Sequence, residues 1–255
     1  MVIGNCFVTY DLRLTTYNFS LARSFPHPNP SHMTIWLTLC VVTLLVAYLI
    51  GSTPTGYTLA KLLKGIDIRE HGSGSTGATN VLRTLGKGPG AFVLVIDALK
   101  GVLAIALVPW PFSFATGQNL LPPTVDPALW LSWMVTLSGL AAILGHSKSI
   151  WLGFSGGKSV ATSLGVLLAM SWQVALATVG VFGVAIAISR IVSLSSIAGA
   201  IAVSLLMLLF HQPLPYVLFG IVGGIYVILR HKSNIQRLLD GTEPQIGQKS
   251  STANQ

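Results

Sequence analysis

Charge is what this chain has least of. Only 9% of its 255 residues are Asp, Glu, Lys or Arg, against about 25% in soluble domains, so a water-soluble globule of this size would expose large apolar patches. Cysteine is scarce as well. Cys6 and Cys40 are far apart, and Cys40 lies in an apolar run, which excludes a disulfide framework or a thiolate metal site. The short-range alternation of an outer-membrane barrel is missing. So is the low hydrophobicity of a disordered chain, since 52% of the residues are hydrophobic and mean hydropathy is +0.71.

What the chain does have is long stretches without a single charge: 24–60, 101–125, 127–147, 159–189 and 191–229. A membrane-spanning helix needs about 20 such residues, so the fold class expected is all-α, a polytopic helical membrane protein with about seven transmembrane helices. The apolar segments run at about 34–57, 89–109, 128–145, 159–170, 172–189, 195–210 and 214–229, punctuated by Ser171-Trp172-Gln173 and His211-Gln212-Pro213. Residues 1–32 are polar and turn-rich and lack the basic-then-apolar order of a signal peptide. They read as a poorly ordered N-terminal extension, with Met33 as the true start, 33–243 as a single membrane domain and 244–255 as a flexible tail.

Fifteen Lys and Arg leave a net charge of +8. With seven segments, the basic residues of the first loop (Lys61, Lys64, Arg69, Arg83, Lys87), the third (Lys148, Lys158), the fifth (Arg190) and the tail (Arg230, Lys232, Arg237, Lys249) all fall on one side. Such one-sidedness marks the cytoplasmic face, placing the N-terminus outside and the C-terminus in the cytoplasm. It also accounts for most of the charge without nucleic acid as a partner.

The polar residues of that face are unusual for linkers. Between 72 and 83 the chain combines Gly72, Gly74 and Gly77 with Ser73, Ser75, Thr76, Thr79, Asn80 and Arg83. Glycines let successive N–H groups converge on an anion, hydroxyls add donors, and an arginine offers a fork for phosphate. The third loop ends in Gly156-Gly157-Lys158-Ser159, like the end of a phosphate-binding Walker loop. The first glycine of that motif is absent, since position 152 is Leu, and no strand precedes it, so an ATPase is excluded while the affinity of a Gly-Gly-Lys helix start for anions stands. In the tail His231, Asn234 and Arg237 are three apart and share a face of a helical continuation. Asp97 and Lys100, inside the second apolar segment, are spaced to pair with each other.

Taken together these motifs resemble the PlsY family of bacterial membrane acyl-phosphate:glycerol-3-phosphate acyltransferases. The first is Gly51-Ser52-x-Pro54-x-Gly56 with Gly72-Ser73-Gly74-x-x-Gly77-Ala78-Thr79-Asn80-Val81-x-Arg83. The second is Gly145-His146 with Gly153-Phe154-x-Gly156-Gly157-Lys158. The third is Val192-Ser193-Leu194-x-Ser196 with Arg230-His231-x-x-Asn234-Ile235-x-Arg237 and Gly241-x-Glu243. The chain departs from the family's usual residues at Ser75 (Asn), Ser149 (Pro), Ser155 (Lys) and Ser159 (Gly).

The resemblance implies acyl transfer from acyl phosphate to the sn-1 hydroxyl of glycerol 3-phosphate, giving lysophosphatidate and phosphate, with no cofactor or metal and no acyl-enzyme. It places the enzyme in the bacterial inner membrane with its active-site loops cytoplasmic, in contact with the enzyme that produces acyl phosphate. It implies Ser73, Arg83, His231 and Asn234 as catalytic; Gly72, Gly74, Thr79, Asn80, Gly156, Gly157, Lys158 and Ser193 as substrate-binding; and Glu243 as structural. An anion transporter would use the same chemistry but would set its polar residues along the membrane midplane, whereas here they cluster in loops. A scaffold with solvated basic loops, or an acyltransferase using acyl-CoA or acyl carrier protein, is the other alternative, and the His-x4-Asp signature of many such enzymes is absent.

Overall fold

The computed structural model describes residues 30–247, which form eleven α-helices and two short 3-10 turns. The helices are α1 (Pro30–Ser52), α2 (Thr55–Lys64), α3 (Ala78–Leu85), α4 (Lys87–Ala106), α5 (Pro109–Gly117), α6 (Pro127–Ser147), α7 (Val160–Met170), α8 (Trp172–Ser189), α9 (Val192–Leu209), α10 (Leu214–Arg230) and α11 (Lys232–Leu239). Five helical stretches are long and apolar enough to cross a bilayer: Pro30–Lys64, Lys87–Gly117, Pro127–Ser147, Trp172–Ser189 and Val192–Leu209. The pair α10 and α11, bent by 61°, is a sixth candidate. A helix satisfies its backbone groups internally inside hydrocarbon, and the outward residues here are apolar, with Leu45, Ile188 and Leu205 among the exposed.

All seven predicted apolar segments fall largely in helices, with two refinements. The first, expected as one run over 34–57, breaks at Thr53-Pro54, because proline carries no N–H and pushes its predecessor out of helical geometry. The carbonyl of Thr53 freed by that break accepts a hydrogen bond from Lys100 at 3.0 Å. A short helix not foreseen, α5, follows the second segment; Pro109 sits in its first turn, where proline costs no hydrogen bond. The separation at Ser171 is real: the residue is extended, ending α7 and opening α8. Of the proposed extension only Pro30–His32 is described, as the opening of α1, and of the proposed tail only Pro244–Gly247; the remainder of both lies outside the described residues.

Packing divides the bundle into two ends. At one, Trp36 of α1 stacks edge-on with Phe112 of α5 and Trp130 of α6, at centroid distances of 4.7 and 5.8 Å, a geometry that adds to the apolar area buried. Toward the other end small residues allow close helix approach, as is usual in membranes. A β-carbon on Gly101 of α4 or Gly165 of α7 would overlap the facing backbone at Thr162 or Ala98. The expected Asp97–Lys100 pair forms here, at 2.9 Å and almost wholly buried. All the basic loops meet at this second end.

Candidate active site

The first loop is organised from inside. Asn80, 1% exposed, opens α3 and turns its side chain back into its own loop. Its Oδ1 accepts from the Ser73 N–H at 2.9 Å, and its Nδ2 donates to the carbonyls of Ile68, His71 and Ser75 at 3.2, 2.9 and 2.8 Å. Gly72 and Gly74 take φ of +60° and +68°, the left-handed region, and a β-carbon on Gly72 would strike Asn80 Oδ1. Asn80 and Gly72, expected to bind substrate, therefore have their polar groups and space committed to loop shape. What they hold outward is Ser73. Arg69, paired with Asp67 at 2.6 Å and lying over the Tyr57 ring, also donates to the Leu152 carbonyl at 3.4 Å, joining the first loop to the third.

The third loop is organised from outside. Gly157 donates its N–H to the His146 carbonyl at 3.2 Å, and its α-carbon lies against the His146 ring so closely that no β-carbon fits. Gly157, expected to bind phosphate, has its N–H on that carbonyl and its α-carbon packed on the ring. From the opposite side Arg230 donates to the carbonyls of Gly156 and Gly157 at 3.5 and 3.2 Å. Ser159 stands at φ +63°, in the left-handed region, where the resemblance leads one to expect glycine, and donates its hydroxyl to the Ile143 carbonyl at 2.8 Å. Lys158 emerges between these anchors and bonds to Asn234 Oδ1. Burial, and after it the neighbouring Arg237 charge, outweigh Glu243 and bring its pKa down to about 8.

The fifth loop and the tail converge on Glu243, 7% exposed. Its Oε1 accepts from Ser193 at 2.7 Å and Asn234 at 2.6 Å, its Oε2 from Arg237 at 2.7 Å. Burial raises a carboxyl, but these three donors overcome it and hold Glu243 below its ordinary value. Glu243 is the clasp that sets Asn234, which in turn meets Lys158. His231, 3% exposed, makes its bond through Nδ1 to the Val227 carbonyl at 2.8 Å. A carbonyl only accepts, so Nδ1 carries the proton there and the neutral ring keeps its lone pair at Nε2.

Two cavities meet at Ser73, Ser75 and Lys158. The smaller, about 520 Å³, is polar and basic, walled by Gly74, Gly156, Arg230, Lys232 and Ser233. The larger, about 580 Å³, starts at Arg83, Lys158, His231 and Asn234 and runs down between α7, α8, α9 and α10, where Leu167, Phe182, Val203 and Phe219 line it. The structure thus brings together Ser73, Thr79, Asn80, Arg83, Lys158, Ser193, His231, Asn234 and Glu243 at one cavity, with Gly74 and Gly156 at the other, while Gly72 and Gly157 line neither.

Comparison with known proteins supplies the family. A model of the glycerol-3-phosphate acyltransferase family matches residues 41–241. The chain belongs to this family. Among curated relatives, the glycerol-3-phosphate acyltransferase of Trichormus variabilis is 74% identical over 220 residues, covering 86% of this chain and 97% of its own. That of Acaryochloris marina is 59% identical over 221 residues, covering 87% and 98%. The crystal structure of PlsY, an integral membrane glycerol 3-phosphate acyltransferase, in its glycerol 3-phosphate form, superposes with a TM-score of 0.72 at 38% identity, covering 82% of this chain and 96% of that one. Its lysophosphatidic acid form gives 0.69 at 37%. The protein is accordingly a membrane acyltransferase of this family.

Within that acyltransferase frame, residues left aside by sequence reasoning acquire roles. Arg230 reads as one more basic residue at a helix end, and only its bonds to the Gly156 and Gly157 carbonyls mark it as the third loop's clamp. His146 stands in the sequence as part of the Gly145-His146 motif with no role attached, yet it supports the same loop from below. The apolar liners follow no pattern in the sequence that separates them from ordinary core positions.

Proposed function

We propose that the protein transfers a fatty acyl group from acyl phosphate directly to the sn-1 hydroxyl of glycerol 3-phosphate, producing lysophosphatidate and inorganic phosphate. The observation that carries this reading is the junction of two cavities at Lys158 and Ser73, one basic and polar, one leading into apolar space between helices. A substrate pair with two phosphates and one hydrocarbon chain matches that division: Arg83, Lys158 and Arg230 offer charge to phosphate oxygens, and the chain occupies the apolar limb.

In the proposed step the glycerol hydroxyl oxygen bonds to the acyl carbonyl carbon while the bond from that carbon to the phosphate oxygen breaks, and phosphate leaves with its electron pair. The hydroxyl proton passes to His231 Nε2, kept free by the Nδ1 bond to Val227. Lys158 neutralises charge on the leaving phosphate. Ser73 and Asn234 orient the reacting groups. Among the described residues, neither His146 nor His231 is hydrogen-bonded to a serine or cysteine, which supports direct transfer over an acyl-enzyme.

The same reading includes seven crossings, with α7 as a short one, the N-terminus outside and the loops on the cytoplasmic face of a bacterial inner membrane. It is supported by the gathering of every basic loop at one end of the bundle and by the return of α8 to that end after α7 leaves it. Residues 33–243 act as one catalytic domain, fed by a reaction that makes acyl phosphate. The test is incorporation of labelled glycerol 3-phosphate by purified protein given acyl phosphate, acyl-CoA or acyl carrier protein separately. Lysophosphatidate from acyl phosphate alone, lost in Lys158→Ala and Arg83→Ala, is expected. Product from another donor alone, or a covalently acylated protein after donor alone, would overturn the donor or the direct route respectively.

A further inference from the structure

The apolar limb of the larger cavity ends abruptly. Its deepest liners are Leu167 on α7, Thr178 on α8, Val203 on α9 and Phe219 on α10. The residues just beyond them belong to the packed core: Met170, Val174 and Met207 are 7%, 0% and 0% exposed. From His231 at the mouth to Phe219 the limb follows α10 for about 18 Å at the helical rise per residue. Phe219, 2% exposed, is its largest floor residue.

The width of the limb has an equally local origin. Four glycines line it, Gly199, Gly220, Gly223 and Gly224. Two are required by helix packing, since a β-carbon on Gly220 would press on Val203, Met207 and Ser204 at 3.2 to 3.3 Å, and one on Gly224 on the Ala200 carbonyl at 2.6 Å. The other two are not. A β-carbon on Gly223 would meet nothing nearer than 3.8 Å, and one on Gly199 only the Thr178 methyl at 3.5 Å. The missing side chains there leave room in the cavity without bringing helices closer.

We propose that this limb measures the acyl chain, with Gly223 setting the bore and Phe219 the stop. The inference rests on the acyl-donor reading above and adds the residues that fix chain-length preference. A side chain at Gly223 occupies space that the distal methylenes of a long chain would fill, and a smaller residue at Phe219 opens space beyond. Each methylene that loses its place weakens transition-state binding by roughly fourfold, from about 0.8 kcal/mol per buried CH2, and this acts only on donors long enough to reach that depth.

The test is kcat/KM for decanoyl, lauroyl, myristoyl, palmitoyl and stearoyl phosphate in wild type, Gly223→Val, Phe219→Leu and Gly220→Ala. Gly223→Val is expected to lower the palmitoyl-to-decanoyl ratio at least tenfold, and Phe219→Leu to raise the stearoyl-to-myristoyl ratio severalfold. Gly220→Ala, a packing change, should scale all donors by one factor and lower the unfolding temperature. If Gly223→Val and Phe219→Leu also scale all donors equally, the ruler is overturned. If wild type makes no product from any acyl phosphate, it is the donor reading that fails, and the same chain-length series run with the donor that does work decides the ruler independently.

Discussion

The first and third loops share a composition rich in glycine, serine and basic residues, and in the sequence both read as phosphate cradles. They are built in opposite ways. One buried side chain inside the first loop, Asn80, makes four hydrogen bonds to that loop. In the third no single side chain plays that part: backbone bonds of Ser149 with Leu152, Phe154 and Ser155 shape its tip, and His146 beneath and Arg230 above, both on other elements, grip its glycines. The first loop carries its organiser within itself, whereas the Gly156-Gly157 turn of the third depends on contacts from α6 and α10. Composition announces that a loop can bend around an anion, and long-range contacts decide which of its groups remain free to do so.

The sharpest way to break this contrast is Asn80→Ala. It removes four hydrogen bonds; the Ile68 and His71 carbonyls keep backbone donors, but the Ser75 carbonyl and the Ser73 N–H lose their partner, each worth about 1–3 kcal/mol if left unpaired in a buried site. Activity should fall at least 100-fold and the unfolding temperature should drop, measured by product formation and thermal unfolding in detergent. Asn80→Asp keeps the acceptor for Ser73 but aims a carboxylate at three carbonyls, so it should be no better. A near-normal rate in either would show that the first loop has another organiser.

Arg230→Lys tests the outside grip more gently. It keeps the charge but loses the rigid, planar guanidinium whose Nη2 reaches two carbonyls. The expected result is a KM for the phosphate substrates raised about tenfold, about 1.4 kcal/mol, with a smaller change in kcat and little loss of stability. Equal loss in both kinetic constants would mean that Arg230 acts on the transition state rather than on the loop.

These two residues also show where sequence reading stops. The helices are legible because an uncharged run of membrane length is rare outside a spanning helix, and Ser171 and Pro213 punctuate the runs. The helix α5 escapes such a reading because Pro109 and Pro111 look like breakers, although a helix's first turn tolerates proline. Lys158, Arg83 and His231 are legible as ionisable groups in loops. The inward turn of Asn80, the reach of Arg230 and the ring of His146 under Gly157 depend on contacts between elements distant in sequence. No spacing rule encodes them.

The pH dependence separates the loops again, since Lys158 is the third loop's titrating group. Its pKa stands at about 8, below the ordinary 10.5, so the ammonium is present at neutral pH and disappears as pH rises through about 8. Phosphate binding, read as kcat/KM, should fall above that pH, and Lys158→Arg should move the alkaline limb out of range. The sign for stability is opposite: between about 8 and 10.5 the unfolded chain binds the proton that the folded chain has lost, so this group makes folding more favourable as pH rises across that window. An alkaline limb unchanged in Lys158→Arg would assign the titration elsewhere.

The smallest expected effect lies at Ser159, where the third loop enters α7. Its left-handed backbone, φ +63°, costs a non-glycine residue about 1–2 kcal/mol, while its hydroxyl bond to the Ile143 carbonyl returns about 1 kcal/mol. Ser159→Gly relieves the strain and loses the bond, so unfolding should shift by no more than about 1 kcal/mol. Ser159→Ala keeps the strain and loses the same bond, while the Ile143 carbonyl keeps the Ser147 hydroxyl as donor, so it should be the less stable of the two by about 1–2 kcal/mol, the strain alone. Equal stabilities in a denaturant titration would show that the turn at Ser159 carries no strain and that the path of the third loop into α7 is set by its other contacts, His146 and Arg230 among them.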